Sequence, residues 1–328
     1  MTASDKLPRL SGRRSGRVEL TEDVLAGQTA TGRSSAPEGY ASRPANSAAP
    51  ERAAGTGNAG TPRRISQHQL HIVRDALSER DRAVLKSMDQ HPYLTSVQLQ
   101  RLHFRDHATC SSAGRICRRT LQRLAEQRVI EHLDRRIGGV RAGSASYVWR
   151  VGPTGDRLIR EASAAGGRAR RKEPSLRHLE HCLAVAETHI RLLEATSSHR
   201  LEVLQVQTEP RCWRSYVLAG VARAVLKPDL YTVTANGDFE DHWFIEVDRG
   251  TESLPTLLRK CAQYEQYRAT GKEQQVSGVF PLVLWLLPDE RRVAQLHQAI
   301  KRTPALDERL YRLTTPGGLT LTIGGGDS

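Results

Sequence analysis

Two alternating apolar runs, KPDLYTVTA ending at Ala235 and DHWFIEVD starting at Asp241, flank the dipeptide Asn236-Gly237. A two-residue hairpin turn of type I′ needs positive φ at both central positions, which Asn-Gly tolerates well. The dipeptide therefore predicts an antiparallel hairpin that sets Ala235 against Asp238 and Asp229 against Phe244. Cross-strand partners share a face, as do residues two apart on one strand. Asp229, Glu246 and Asp248 then project together, with Trp243, Ile245 and Val247 turned to the core. Three carboxylates on one sheet face repel one another and resist desolvation unless a cation holds them. Oxygen-only ligands of this kind favour Mg²⁺ or Mn²⁺ over zinc.

The helix expected after this hairpin opens at Ser253, with Pro255 in its first turn, where a missing N–H costs little. Lys260, Gln263 and Tyr267 form one polar stripe on it, while Leu254, Leu258, Cys261 and Ala262 lie on another side. Facing the carboxylates, a lysine can orient a water and offset charge in phosphodiester hydrolysis while a metal polarises the phosphate. The plainer reading of the same stripe is a solvated helix surface.

The net charge of +13 is unevenly placed. Residues 76–172 hold 20 basic and 9 acidic side chains, a surplus of 11, whereas residues 173–328 hold 18 and 20. Such asymmetry marks a segment that neutralises phosphates, with solubility as the bland alternative. The pattern predicts four parts: a tail over 1–64 too poor in apolar residues to fold, a domain over 65–165, a linker over 166–175 and a second domain over 176–328.

In the first domain, Leu77, Val84, Leu85 and Met88 follow helical spacing with Ser78 as a helix N-cap, and Thr95 caps a short helix. Ser111 or Ser112 opens a longer helix with Cys117, Leu121 and Leu124 buried. Two strand-like runs joined through Gly138, Gly139 and Gly143 follow. Helix, short helix, longer helix and hairpin is the order of a winged helix-turn-helix. It makes Arg115, Arg118, Arg119 and Arg123 on the longer helix, and Arg135, Arg136 and Arg141 on the wing, the candidate DNA-binding residues. A solvated amphipathic helix is again the alternative, but residues 111–128 carry five arginines against one glutamate.

The second domain reads as helix, three strands, helix and strand, then a further helix and a last strand, an α/β (α+β) order with a mixed central sheet. Five scattered cysteines without a CxxC pair argue against a disulfide framework and a zinc ribbon. His103, His107 and Cys110 have ligand-like spacing but no evident fourth partner. The absence of a long apolar run or an export signal leads to the expectation of a cytoplasmic chain without a membrane partner.

With these residues in place, KPDLYTV, HWFIEVDRGTES and KCAQYEQY resemble the PD-(D/E)xK nuclease superfamily, a restriction-endonuclease-like fold. Pro228-Asp229 stands as the PD element, Glu246 as the acidic member and Gln263 to Tyr267 as a QxxxY helix signature. The place of the motif lysine holds Asp248, so Lys260 must supply it from the helix. The resemblance also implies a glutamate from the first helix of the domain, Glu187 or else Glu180. The upstream winged helix, PYLTSVQLQRLHF and EVDRGTES more specifically resemble the replication-relaxation family of actinobacterial plasmids and integrative elements, across about residues 77–315.

Together these imply catalytic Asp229, Glu246, Lys260, Gln263 and Tyr267, and metal ligands Asp229, Glu246, Asp248 and Glu187 for Mg²⁺ or Mn²⁺. The implied partners are double-stranded DNA and replication or transfer proteins. The two functions that follow are a metal-dependent DNA endonuclease or nickase for mobile DNA, and a non-catalytic DNA-binding protein or transcriptional regulator on a degenerate nuclease fold.

Overall fold

Four of the first helices are started by the same local device. The computed structural model describes residues 17–19, 65–106, 109–137, 146–163, 173–196, 201–217 and 223–325. Ser66, Ser78, Thr95 and Thr109 each form a reciprocal capping box, opening α1 (Gln67–Ala76), α2 (Glu79–Gln90), α3 (Ser96–His103) and α4 (Cys110–Glu126). Ser78 opens α2, as its capping position predicts, and a separate helix α1 precedes it up to Ala76. By contrast, α4 opens at Thr109, with Ser112 as the box partner rather than the cap.

A short strand β2 (Leu94–Thr95) pairs with β4 (Ser146–Val151), which pairs in turn with β3 (Ile130–Ile137). Helices α2, α3 and α4 are followed by this antiparallel pair and closed by α5 (Pro153–Ser163). Leu70, Val84, Met88, Leu99, Leu121, Leu124 and Trp149 form one core.

The second half is an α/β unit around a mixed sheet of order β11-β10-β9-β8-β5. Its strands are β5 (Glu202–Thr208), β8 (Leu230–Asn236), β9 (Phe239–Val247), β10 (Leu282–Leu286) and β11 (Tyr311–Thr314). The β5–β8 and β8–β9 pairs are antiparallel, and β10 runs parallel to both neighbours. On one face Tyr231, Val233, Phe244, Val283 and Trp285 pack under α7 (Leu254–Ala269) and α9 (Glu290–Lys301). On the other, Leu230, Trp243, Ile245 and Leu284 meet α6 (Leu176–Ala195) and α10 (Leu319–Ile323).

The run AVLKPDLYTV, read as one strand, is broken at Lys227–Pro228–Asp229, where proline cannot donate to the ladder. Its first part, β7 (Arg223–Leu226), pairs with β6 (Arg214–Val217) in a separate two-stranded sheet. The remaining helix, α8 (Lys272–Ser277), follows α7. Of the tail expected over 1–64, all but 17–19 lies outside the described residues. Those three form β1 (Arg17–Glu19), antiparallel to Phe239–Asp241.

Helix α6 serves both halves. Leu179, Cys182 and Leu183 pack with Tyr93, Leu133 and Val148 from the first half, and Ala186 enters the first core. Val185 and Leu192 point to the sheet. The expected linker lies mostly outside the described residues.

Candidate functional site

The hairpin register places the carboxylates. Asn236 pairs with Phe239 rather than sitting inside the turn, so Leu230 faces Ile245, and Asp229 stands opposite Glu246, not Phe244. Positive φ falls on Gly237, at the first central position, which is the II′ pattern. Asn236 instead donates its side-chain amide to the Gly324 carbonyl at 2.7 Å. A two-residue slip preserves the alternation of faces, so Asp229 and Glu246 still share one.

Both are almost wholly buried, at 5% and 1% exposure. Asp229 Oδ2 accepts from the Val247 N–H at 2.7 Å and Oδ1 lies 3.2 Å from His181 Nε2 on α6. Glu246 Oε2 is ion-paired with Lys260 Nζ, and Oε1 accepts from the Tyr264 hydroxyl, one helical turn further along α7. Burial raises the Asp229 pKa, but His181, Lys260 and the Val247 N–H outweigh it and hold the carboxyl below its usual range. Burial also pushes Glu246 up, against the pull of Lys260 and with help from the Asp229 charge, to about 8. Burial would lower Lys260, yet the two carboxylates keep it protonated well above its ordinary value. The bond to Asp229 raises His181.

The other candidates lie elsewhere. Asp248 continues the same side of β9, but Arg292 on α9 binds its Oδ2 at 2.9 Å and the Gly250 N–H its Oδ1. Gln263 is exposed. Tyr267 is buried and donates to Glu273 Oε2 at 2.5 Å, within the core that includes Tyr216 and Phe280. Glu187 faces α3, where Arg101 Nη1 meets both its oxygens at 2.8 Å and Arg191 adds a third contact. Glu180 pairs with Arg249. Sequence reasoning missed His181, Tyr264 and Glu209. Tyr264 was legible as the i+4 neighbour of Lys260, whereas His181 and Glu209 are brought in by long-range packing.

Two carboxylates with hard oxygen donors suit Mg²⁺ or Mn²⁺, ions that keep several waters and need only one or two protein carboxylates when phosphates supply the rest. Among the described residues no three His, Cys, Asp or Glu side chains gather into an all-protein metal cage.

On α4, Arg115, Arg118 and Arg119 are exposed on one face, opposite buried Ala113, Cys117, Leu121 and Leu124. None has an ion-pair partner among the described residues. Arg123 does not belong with them, because its guanidinium binds Asp81 Oδ1 at 2.6 Å and Asp81 is buried at the cap of α2. Arg135 and Arg136 lie on β3 by backbone position, and Arg141 falls outside the described residues. His103 bonds Ser87, and His107 lies outside the described residues. Cys117, Cys182, Cys212 and Cys261 are free and buried. No described helix is long and apolar enough to cross a membrane.

A family model described as replication-relaxation matches residues 85–283, from within α2 to within β10, and so takes in α4, Asp229, Glu246 and Lys260. The chain belongs to the replication-relaxation family. No curated protein and no solved structure matches it. In this replication-relaxation protein the matched segment crosses both halves and the whole of α6.

Proposed function

We propose that the chain binds duplex DNA through α4 and serves the replication or relaxation of plasmid or mobile-element DNA. The observation that carries this is the exposed triple of Arg115, Arg118 and Arg119 on the third helix of a winged-helix order. Guanidinium groups one turn apart on such a helix suit phosphates and guanine edges in a major groove. Membership of the replication-relaxation family agrees with a DNA partner. The test is duplex binding by the full chain and by Arg118→Ala/Arg119→Ala. Binding weakened about tenfold or more supports the reading, and unchanged binding refutes it.

A second reading is supported by Lys260 paired with Glu246 beside Asp229. In it the site hydrolyses a DNA phosphodiester. Asp229 and Glu246 would hold Mg²⁺ or Mn²⁺, which when bound polarises the phosphate. Lys260 balances charge near the attacked phosphorus, Tyr264 fixes the rotamer of Glu246, and His181 fixes Asp229. Nicking of supercoiled plasmid with Mg²⁺ or Mn²⁺, lost in Asp229→Ala and Lys260→Met, is the expected result. Equal nicking by all three proteins would mean a contaminant, and none by the wild type would leave DNA binding alone.

A further inference from the structure

We propose that the Asp229–Glu246–Lys260 site takes a single, unpaired DNA strand, one base of which stacks on Trp213. This rests on the hydrolytic reading of that site and names its substrate class. Of the four tryptophans, Trp149, Trp243 and Trp285 are 7% exposed or less, whereas Trp213 is 36% exposed. An indole about a third exposed is a natural platform for a ligand with a flat apolar face.

Its position joins it to the carboxylates. Trp213 ends the turn after β5, and its indole N–H donates to Glu209 Oε1 at 3.3 Å. Cys212, the neighbour of Trp213, donates its thiol to the Pro228 carbonyl at 3.0 Å. The turn that carries the ring is therefore tied to the Pro228-Asp229 element. Lys227, adjacent to Pro228-Asp229, holds Nζ over the Trp213 ring, 4.4 Å from its centroid. Arg211 in the same turn pairs with Asp89 only at the surface, 3.2 Å away with its own side chain 65% exposed, so it can exchange that partner for a phosphate.

The two carboxylates are all but inaccessible. A scissile phosphate has to descend to them, which an extended strand does more readily than an intact helix. Aromatic stacking beside a basic group is how unpaired strands are held without base readout.

The test uses the full chain without divalent metal, measuring fluorescence anisotropy of a labelled oligothymidylate and of a duplex of equal length. Trp213→Ala should weaken single-strand binding about 5- to 100-fold. Trp213→Phe should stay within a few-fold of wild type, and duplex binding should change less than twofold in both variants. Wild-type affinity for the single strand in Trp213→Ala overturns the inference, as does an equal loss for both DNAs. Duplex binding without any single-strand binding by the wild type overturns it while leaving the role of α4 standing. Plasmid nicking that survives in Trp213→Ala but not in Asp229→Ala, with single-strand binding unmoved, overturns it while leaving hydrolysis standing.

Discussion

Burial bears heavily on Glu246. Its pKa is about 8 in the folded chain, above its ordinary value of 4.5. A carboxyl raised in this way stabilises the fold while protonated, fully below pH 4.5, and loses that contribution as pH rises through about 8. Glu246→Gln should therefore leave thermal stability unchanged near pH 4.5 and raise it at pH 8 by roughly 1–3 kcal/mol, read by calorimetry. Loss of stability at pH 8 would show that the ionised Glu246–Lys260 pair is net stabilising. The sequence showed that Asp229 and Glu246 share a face, because strand alternation survives the two-residue error in register. It misjudged which residues of α7 reach them. Gln263 and Tyr267 were placed by spacing from Lys260, but α7 is buried around Leu257, Cys261, Tyr264 and Tyr267, and that burial aims Tyr264 at Glu246.

Among the elements, α4 was the most legible, since its apolar stripe and its arginines alternate with helical period. Arg123 was the exception. Its partner Asp81 lies 42 positions earlier in the chain, a contact no local pattern displays. Arg123→Ala should destabilise the chain by about 1–3 kcal/mol, since it strips the counter-ion from a buried carboxylate that also caps α2. Duplex binding should change less than twofold, checked by urea unfolding and a binding titration on one preparation. A loss of DNA affinity as large as that of Arg118→Ala would return Arg123 to the binding face. The helix start at Ser78 was legible from its capping serine, whereas the break at Pro228 was signalled by residue type but masked by an unbroken apolar rhythm.

For the whole molecule, α6 decides how the two halves communicate. Arg101 on α3 binds Glu187 and Glu194 on α6, the Gln98 amide donates to the Leu183 carbonyl at 3.0 Å, and Thr208 donates to the Gln90 carbonyl at 2.8 Å. Division by composition located the basic segment but could not reveal that one helix fills three hydrophobic clusters. One cooperative unfolding transition of the described halves is expected. Two resolved calorimetric transitions would contradict the packing. At the same seam His91 Nε2 and His189 Nδ1 are 2.7 Å apart, and burial lowers their pKa values to about 3 and about 4, with His189 also depressing His91. Histidines depressed in this way stabilise the fold above their ordinary pKa of 6.5 and withdraw that stability as pH falls towards the folded values. His189→Gln should thus lose less stability than wild type between pH 6.5 and pH 4, and an identical slope would show that the pair stays neutral at no cost.

The account stands most directly on the salt dependence of duplex binding. Each phosphate neutralised releases counter-ions, so log affinity falls with log salt at a slope of about 0.9 per contact. If Arg118 and Arg119 each meet a phosphate, the full chain carrying Arg118→Ala and Arg119→Ala should bind with a slope shallower by about 2. The predicted result is that shallower slope with unfolding unchanged; the same slope together with the same affinity as wild type would contradict the assignment of α4 to DNA.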